Sequence, residues 1–140
     1  MRLVLCLGGS VLFNTWNADP IRGLINEIIR LVESKHRLWV VVGGGRLKRE
    51  LADLGRQLGL SEFACDMLGI RATRIFAYFL ASALDDRGYP EVPSSVQEAA
   101  ALDANDRVVF MGGTEPGHST TAVSALLAEA IRAQLLVKLT

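Results

Sequence analysis

Three times along this chain an apolar strand pattern runs into a glycine turn and emerges as a helix, and this repeat restricts the fold more than any other feature. Arg2–Leu7 ends in Gly8-Gly9-Ser10, Leu38–Val42 ends in Gly43-Gly44-Gly45, and Arg107–Met111 ends in the loop Met111–Thr121, MGGTEPGHSTT. Short, continuously apolar strands belong in a sheet covered on both faces. Repeated βα units make that sheet parallel and place helices on its faces. The expected class is therefore α/β with a mainly parallel central sheet. Ligands of such sheets sit beyond the carboxyl ends of the strands, where all three glycine turns should converge. No turn matches G-x-G-x-x-G or the P-loop pattern, which argues against the common dinucleotide and Walker sites.

The rest of the chain fits around these units. Asp19-Pro20 supplies an N-cap and a proline for a helix carrying Ile21, Leu24, Ile25, Ile28, Ile29 and Val32 up to Ser34. The spacing predicts a second helix over Arg46–Leu58, with Leu47, Leu51, Leu54 and Leu58 in one stripe and Gly59 at C′. Ser61–Gly88 reads as a capped helical region broken at Gly69. Within it, Ile70–Leu84 is apolar almost all round and must be covered on more than one side. A subunit interface is the economical explanation, and a central core helix is the alternative. Glu91–Pro93 is a short strand or a loop, and Ser95 with Glu98 forms a capping box for a helix to about Leu102. A helix over Thr121–Ala133 and a buried strand over Leu135–Leu139 complete the pattern.

A length of 140 residues suits one domain, 1–140, with a proper core. Half the residues are hydrophobic and the formal net charge is zero. That balance gives no electrostatic case for nucleic acid or an anionic membrane, and Trp16 and Trp39 have no interleaved basic stripe. No apolar run reaches the roughly 18 residues of a membrane span. The N-terminal MRLVLCLGGS reads as a strand, because Gly8-Gly9 ends it too early for a signal peptide. Cys6 and Cys65 are too far apart in sequence to suggest a metal or disulfide framework. A reducing cytoplasm is the expected compartment.

Met111–Thr121 carries three glycines, a proline and four hydroxyl residues, Thr114, Ser119, Thr120 and Thr121, ahead of a helix. Glycine admits close approach of a ligand to the backbone, and a helix N-terminus offers free N–H groups to an anion. The pattern points to phosphate, with an ordinary turn and Ser/Thr cap as the plainer reading. His118 reads as a surface histidine or a phosphate contact, and Cys65 as core.

Gly8-Gly9-Ser10, VVGGGR running to Arg49, DMLGIRATR (Asp66–Arg74) and GGTEPGHSTTAVSALLAE (Gly112–Glu129) together resemble the amino-acid-kinase superfamily, and within it the archaeal-type uridylate kinases. The resemblance covers the whole chain in order and is most specific in Gly112–Glu129. It implies a three-layer sandwich, transfer of the γ-phosphoryl group of ATP to UMP with magnesium, and hexamers built from dimers. The dimer contact expected here is Ile70–Leu84. Carried over by position, Gly9 and Ser10 would contact the transferring phosphates, with Ser10 and Arg49 as the catalytic pair. Gly44 would lie under the UMP phosphate, with Gly45 and Arg49 beside the phosphate path. Asp66 would hold the ribose hydroxyls. Thr114, Glu115, Pro116, Gly117, His118, Ser119 and Thr120 would wrap the uridine nucleotide, and Thr140 would reach the ATP side. No protein metal ligands are implied.

The sequence departs from the family pattern at Cys6, where many relatives carry lysine, at Phe76 in place of the asparagine of T-R-x-N-A, and at Thr121 in place of the aspartate of T-T-D-A. Relatives continue beyond the position of Thr140 into T-N-V-D-G-V-Y and an ATP-holding lobe. The expectation is most of an acceptor-nucleotide site with the edge of a donor site. Three readings stay open: a uridylate kinase or a truncated form of one, a non-catalytic relative that binds a nucleotide or another oxyanion, and a structural subunit of a kinase-like oligomer.

Overall fold

Alternation along the strands builds two hydrophobic layers from one set of residues. In a computed structural model describing all of Met1–Thr140, strands β1 (Arg2–Leu7), β2 (Arg37–Val42), β3 (Val109–Met111) and β4 (Leu135–Leu139) form a sheet of order β3-β2-β1-β4. Every pairing is parallel. Leu3, Leu5 and Leu7 of β1 and Leu38, Val40 and Val42 of β2 face one side. Val4, Trp39 and Val41 face the other, as the two-residue period of a strand requires.

The first layer is closed by α1 (Gly9–Leu12), α2 (Ala18–Glu33) and α4 (Glu62–Ala83), which contribute Leu12, Ile28, Val32, Phe76, Ala77 and Leu80. The second is closed by α5 (Val96–Ala101) and α6 (Thr120–Ala130), through Ala99, Val123 and Leu127. Trp39 is buried there with its indole N–H donating to the Ala99 carbonyl at 2.9 Å, so its one polar atom is satisfied. Helix α3 (Gly45–Gln57) packs mainly on α4. The result is an α/β sandwich of three layers around a parallel sheet. No helix is long and apolar enough to cross a membrane.

Several boundaries differ from the sequence reading. The cap of α2 is Asn17, whose Oδ1 accepts from the Asp19 N–H at 3.1 Å, so Asp19-Pro20 lies inside the first turn. The stretch after Gly8 is partly helical rather than all loop. Gly59 does take the C′ position of α3, with φ +77°. Its leucine stripe is only half-buried at Leu47 and Leu51, however, and Leu54 and Leu58 are exposed. Ser61 caps α4 through the Ala64 N–H, and α4 then runs unbroken through Gly69. A glycine in mid-helix costs only about 1 kcal/mol against alanine, which 22 residues of packing override. Glu91–Pro93 is loop. Strand β3 is shorter than Arg107–Met111, and α6 begins at Thr120 and ends at Ala130. Leu135–Leu139 is a strand but not a buried one: β4 lies at the edge of the sheet, with Leu135 and Leu136 exposed.

Ile70–Leu84 is covered by the core over only part of its circumference. Ile70, Phe76, Ala77, Leu80 and Ala81 are core, whereas Ile75, Tyr78 and Phe79 remain exposed. Phe76, standing where the family pattern has asparagine, is buried and stacks on Phe13 with ring centroids 3.9 Å apart and planes 11° from parallel. That contact docks the segment after α1 onto α4.

Candidate functional site

Turns at the carboxyl ends of β1 and β2 meet backbone to backbone. A Cβ on Gly9 would strike the Gly45 backbone, and one on Gly45 would come within 2.8 Å of the Gly9 carbonyl oxygen. Gly45 also has φ +55°, in the left-handed region that glycine adopts without strain. Gly43 would likewise put a Cβ 2.8 Å from the Gly9 nitrogen. These glycines leave no room for side chains, so the two turns form one surface. Ser10 is exposed on α1 beside them.

The third turn is held by α4. Thr73 is fully buried; its Oγ1 accepts from the Gly113 N–H at 2.7 Å and donates to the Ile70 carbonyl at 2.5 Å. Arg74 donates to the carbonyls of Gly113, Thr114 and Ser94 at 3.2 to 3.4 Å. Gly112 sits so close to Thr73 that a Cβ would overlap its hydroxyl. At the far end of the loop, the Ser119 hydroxyl caps α6 by accepting from the Ala122 N–H at 3.1 Å.

Between α3, the first half of α4 and this loop lies an open cleft of about 450 Å³. That volume falls in the range of small-molecule sites, roughly 300–1,000 Å³. Its walls include Lys48, Arg49, Asp53 and Arg56 from α3, Cys65, Asp66, Gly69 and Ile70 from α4, and Glu115–Ser119 from the loop. Arg49, Asp66, Glu115, Pro116, Gly117, His118 and Ser119, named from the sequence, thus come together on one cavity. Gly44 is buried and does not line the cleft; the Lys48 side chain fills the space a Cβ would need there. Thr114 faces a second cleft of about 380 Å³, between the start of α5 and the end of α6, which also touches Glu115 and His118. Thr120 opens α6, and its carbonyl lies 3.9 Å from the buried Cys6 sulfur. Thr140 is exposed after β4.

Charges in the larger cleft are unevenly committed. Arg56 is engaged by both carboxylate oxygens of Glu62, at 3.0 and 3.2 Å, and by Asp53 at 3.1 Å. The hydrogen bond from Arg56, and then its charge, hold the Glu62 carboxyl below its ordinary value. Glu115 faces His118 Nδ1 at 3.3 Å. Arg49 has only a long contact to Asn14 Oδ1 at 3.5 Å, and Lys48 and Asp66 enter no ion pair. The cleft therefore offers two uncommitted cations on one wall and an uncommitted carboxylate on the other. Arg49 and Asp66 were legible as candidates. Lys48 and Arg56 were missed because a charged helix residue ordinarily faces solvent.

Comparison with known proteins agrees with this architecture. Residues 1–140 match the model of the amino acid kinase family. The chain is 44% identical over 140 residues to a uridylate kinase of Methanothermobacter thermautotrophicus and 46% identical over 140 residues to one of Archaeoglobus fulgidus. In both cases it spans all of itself but 62% of the relative. A crystal structure of uridylate kinase from Archaeoglobus fulgidus superposes on the entire chain with a TM-score of 0.92 at 45% identity, over 63% of that chain. The UMP kinase of Bacillus anthracis, at 20% identity, shares the fold with a TM-score of 0.79 over 99% of this chain and 64% of its own. By its parallel sheet, its glycine turns and its match from first residue to last, this chain belongs to the amino acid kinase family.

Proposed function

We propose that this chain takes part in transferring the γ-phosphoryl group of ATP to UMP, giving UDP and ADP, and that the cleft between α3, α4 and the Glu115–Ser119 loop holds the UMP. The observation that carries the reading is the charge layout of that cleft. Arg49 supplies a forked donor for a phosphate, and Asp66 supplies an acceptor for a pair of ribose hydroxyls. The backbone of Glu115–Ser119 supplies a wall for the nucleoside.

Transfer itself asks the protein for position and charge neutralisation more than for covalent chemistry. An oxygen of the UMP phosphate attacks the γ-phosphorus, the bond to the β,γ-bridging oxygen breaks, and ADP leaves with that electron pair. Gly9, Ser10 and Gly45 form the surface over which the transferring group would pass. ATP would arrive as its magnesium complex. The reading places the protein in the cytoplasm as a homodimer or a hexamer of dimers. Exposed Ile75, Tyr78 and Phe79 on α4 support self-association.

The test is ligand-induced stabilisation followed by turnover. UMP at one hundred times its Kd should add about 2.7 kcal/mol to the folded state, visible as a raised melting temperature, whereas cytidine should leave it unchanged. Absence of any UMP shift refutes the site. A UMP shift without ADP formation in the presence of ATP would leave a nucleotide-binding relative in place of a kinase.

A further inference from the structure

Lys48 is held in an unusual way for a lysine in the first turn of a helix. Its aliphatic stem runs between two buried glycines, Gly44 before α3 and Gly69 in the middle of α4. A methyl group on Gly69 would lie 2.9 Å from Lys48 Cγ and 3.1 Å from Cε. One on Gly44 would strike Cβ and lie 3.0 Å from Cδ. The stem thus lies against the two glycines from Cβ to Cε, which leaves a lysine less rotamer freedom to lose on binding a ligand.

The amine at its end has no acceptor in the chain. Arg56 and Arg46, its neighbours on α3, are committed to Glu62 and Glu50. Asp66 lines the same cleft, yet no nitrogen–oxygen pair within 4.0 Å joins it to Lys48. A fixed cation and a free carboxylate facing one cavity without meeting leave space for a ligand that is anionic at one end and carries hydroxyl donors at the other. A nucleoside monophosphate has that polarity.

We propose that Lys48 is a second residue by which this cleft distinguishes a nucleoside monophosphate from the bare nucleoside: its ammonium takes a phosphate oxygen, beside Arg49. The inference rests on the reading of the cleft as the acceptor site. Isothermal titration of the full chain with UMP and with uridine tests it. Lys48→Met keeps a stem of similar length between the glycines and removes the charge. UMP affinity should fall about tenfold or more, the worth of a charge-assisted hydrogen bond, with uridine affinity unchanged within about twofold. Gly69→Ala keeps the charge but pushes on the stem, and should weaken UMP selectively too, although alanine by itself favours the helix. UMP affinity retained in Lys48→Met overturns the inference alone. So does an equal loss of UMP and uridine, which would make Lys48 a packing residue. Failure of the wild-type chain to bind UMP overturns the acceptor-site reading and this inference with it.

Discussion

Replacing Thr73 by valine isolates a single hydrogen-bond acceptor. Valine has nearly the shape of threonine, so the packing around this fully buried side chain is kept. What disappears is the oxygen that receives the Gly113 N–H at 2.7 Å, across 40 residues of sequence. Water cannot replace it, because Gly113 and Thr73 are both buried. A buried N–H left without a partner costs about 1–3 kcal/mol. The bond from the hydroxyl to the Ile70 carbonyl, also lost, adds little, since a helix carbonyl has its own backbone partner. At roughly 2–4 °C per kcal/mol for a chain near this size, the melting temperature should fall by about 2–12 °C. In urea the midpoint should drop with the slope unchanged. Thr73→Ser retains the acceptor and should recover most of the loss. Hydrogen exchange gives the local readout: the Gly113 amide should lose more protection than its neighbours. Wild-type stability in Thr73→Val, with Gly113 protected as before, would refute the argument that α4 pins the loop through this oxygen.

Three further outcomes follow from the geometry. Under the proposed self-association through α4, Phe79→Glu should give monomers in light scattering without unfolding the chain, because Phe79 is half exposed in the single chain; an unchanged mass with a large loss of stability would place it in the core. Gly9→Ala should destabilise by about 1–3 kcal/mol or more, since the new methyl meets the Gly45 backbone and no side chain can yield; a melting curve matching the wild type would contradict that contact. Glu62, held by Arg56 below its ordinary 4.5, adds stability that is present above that value and lost as pH falls through the lower folded value. Wild type should therefore lose slightly more stability on acidification from about pH 5 to pH 3 than Glu62→Gln, by a small margin since both partners are exposed. Parallel curves would show that the pair contributes nothing.

The strands and glycine turns were legible because each is local: an apolar run and the glycines that end it lie within ten residues. Arg49 and Glu115–Ser119 follow strands whose carboxyl ends the parallel topology brings together, whereas Asp66 lies on α4, which follows no strand, and was legible, like Arg49, only through the family resemblance. What could not be read depends on partners distant in sequence. Gly69 looks like a helix breaker until Lys48, 21 residues earlier, is found lying across it. Phe76 looks like a loss from a family pattern until Phe13 stacks on it. Local pattern reports what a segment prefers, and tertiary context decides which of its faces is covered.

The contact between Gly9 and Gly45 has a mechanical meaning as well as a steric one. Where side chains meet, a rotamer change can absorb a shift of an ångström or so. Where main chain meets main chain there is no such slack. The turn carrying Gly9 and Ser10 and the helix carrying Lys48 and Arg49 therefore travel as one body. Under the proposed reaction, the bed of the moving phosphoryl group and the cations that hold its acceptor keep a constant spacing, on which in-line attack depends. Any closure around the substrates would then come from the opposite wall, where the loop is held at Gly113 and Thr114 by a threonine and an arginine and at Ser119 by a cap, rather than welded by glycine.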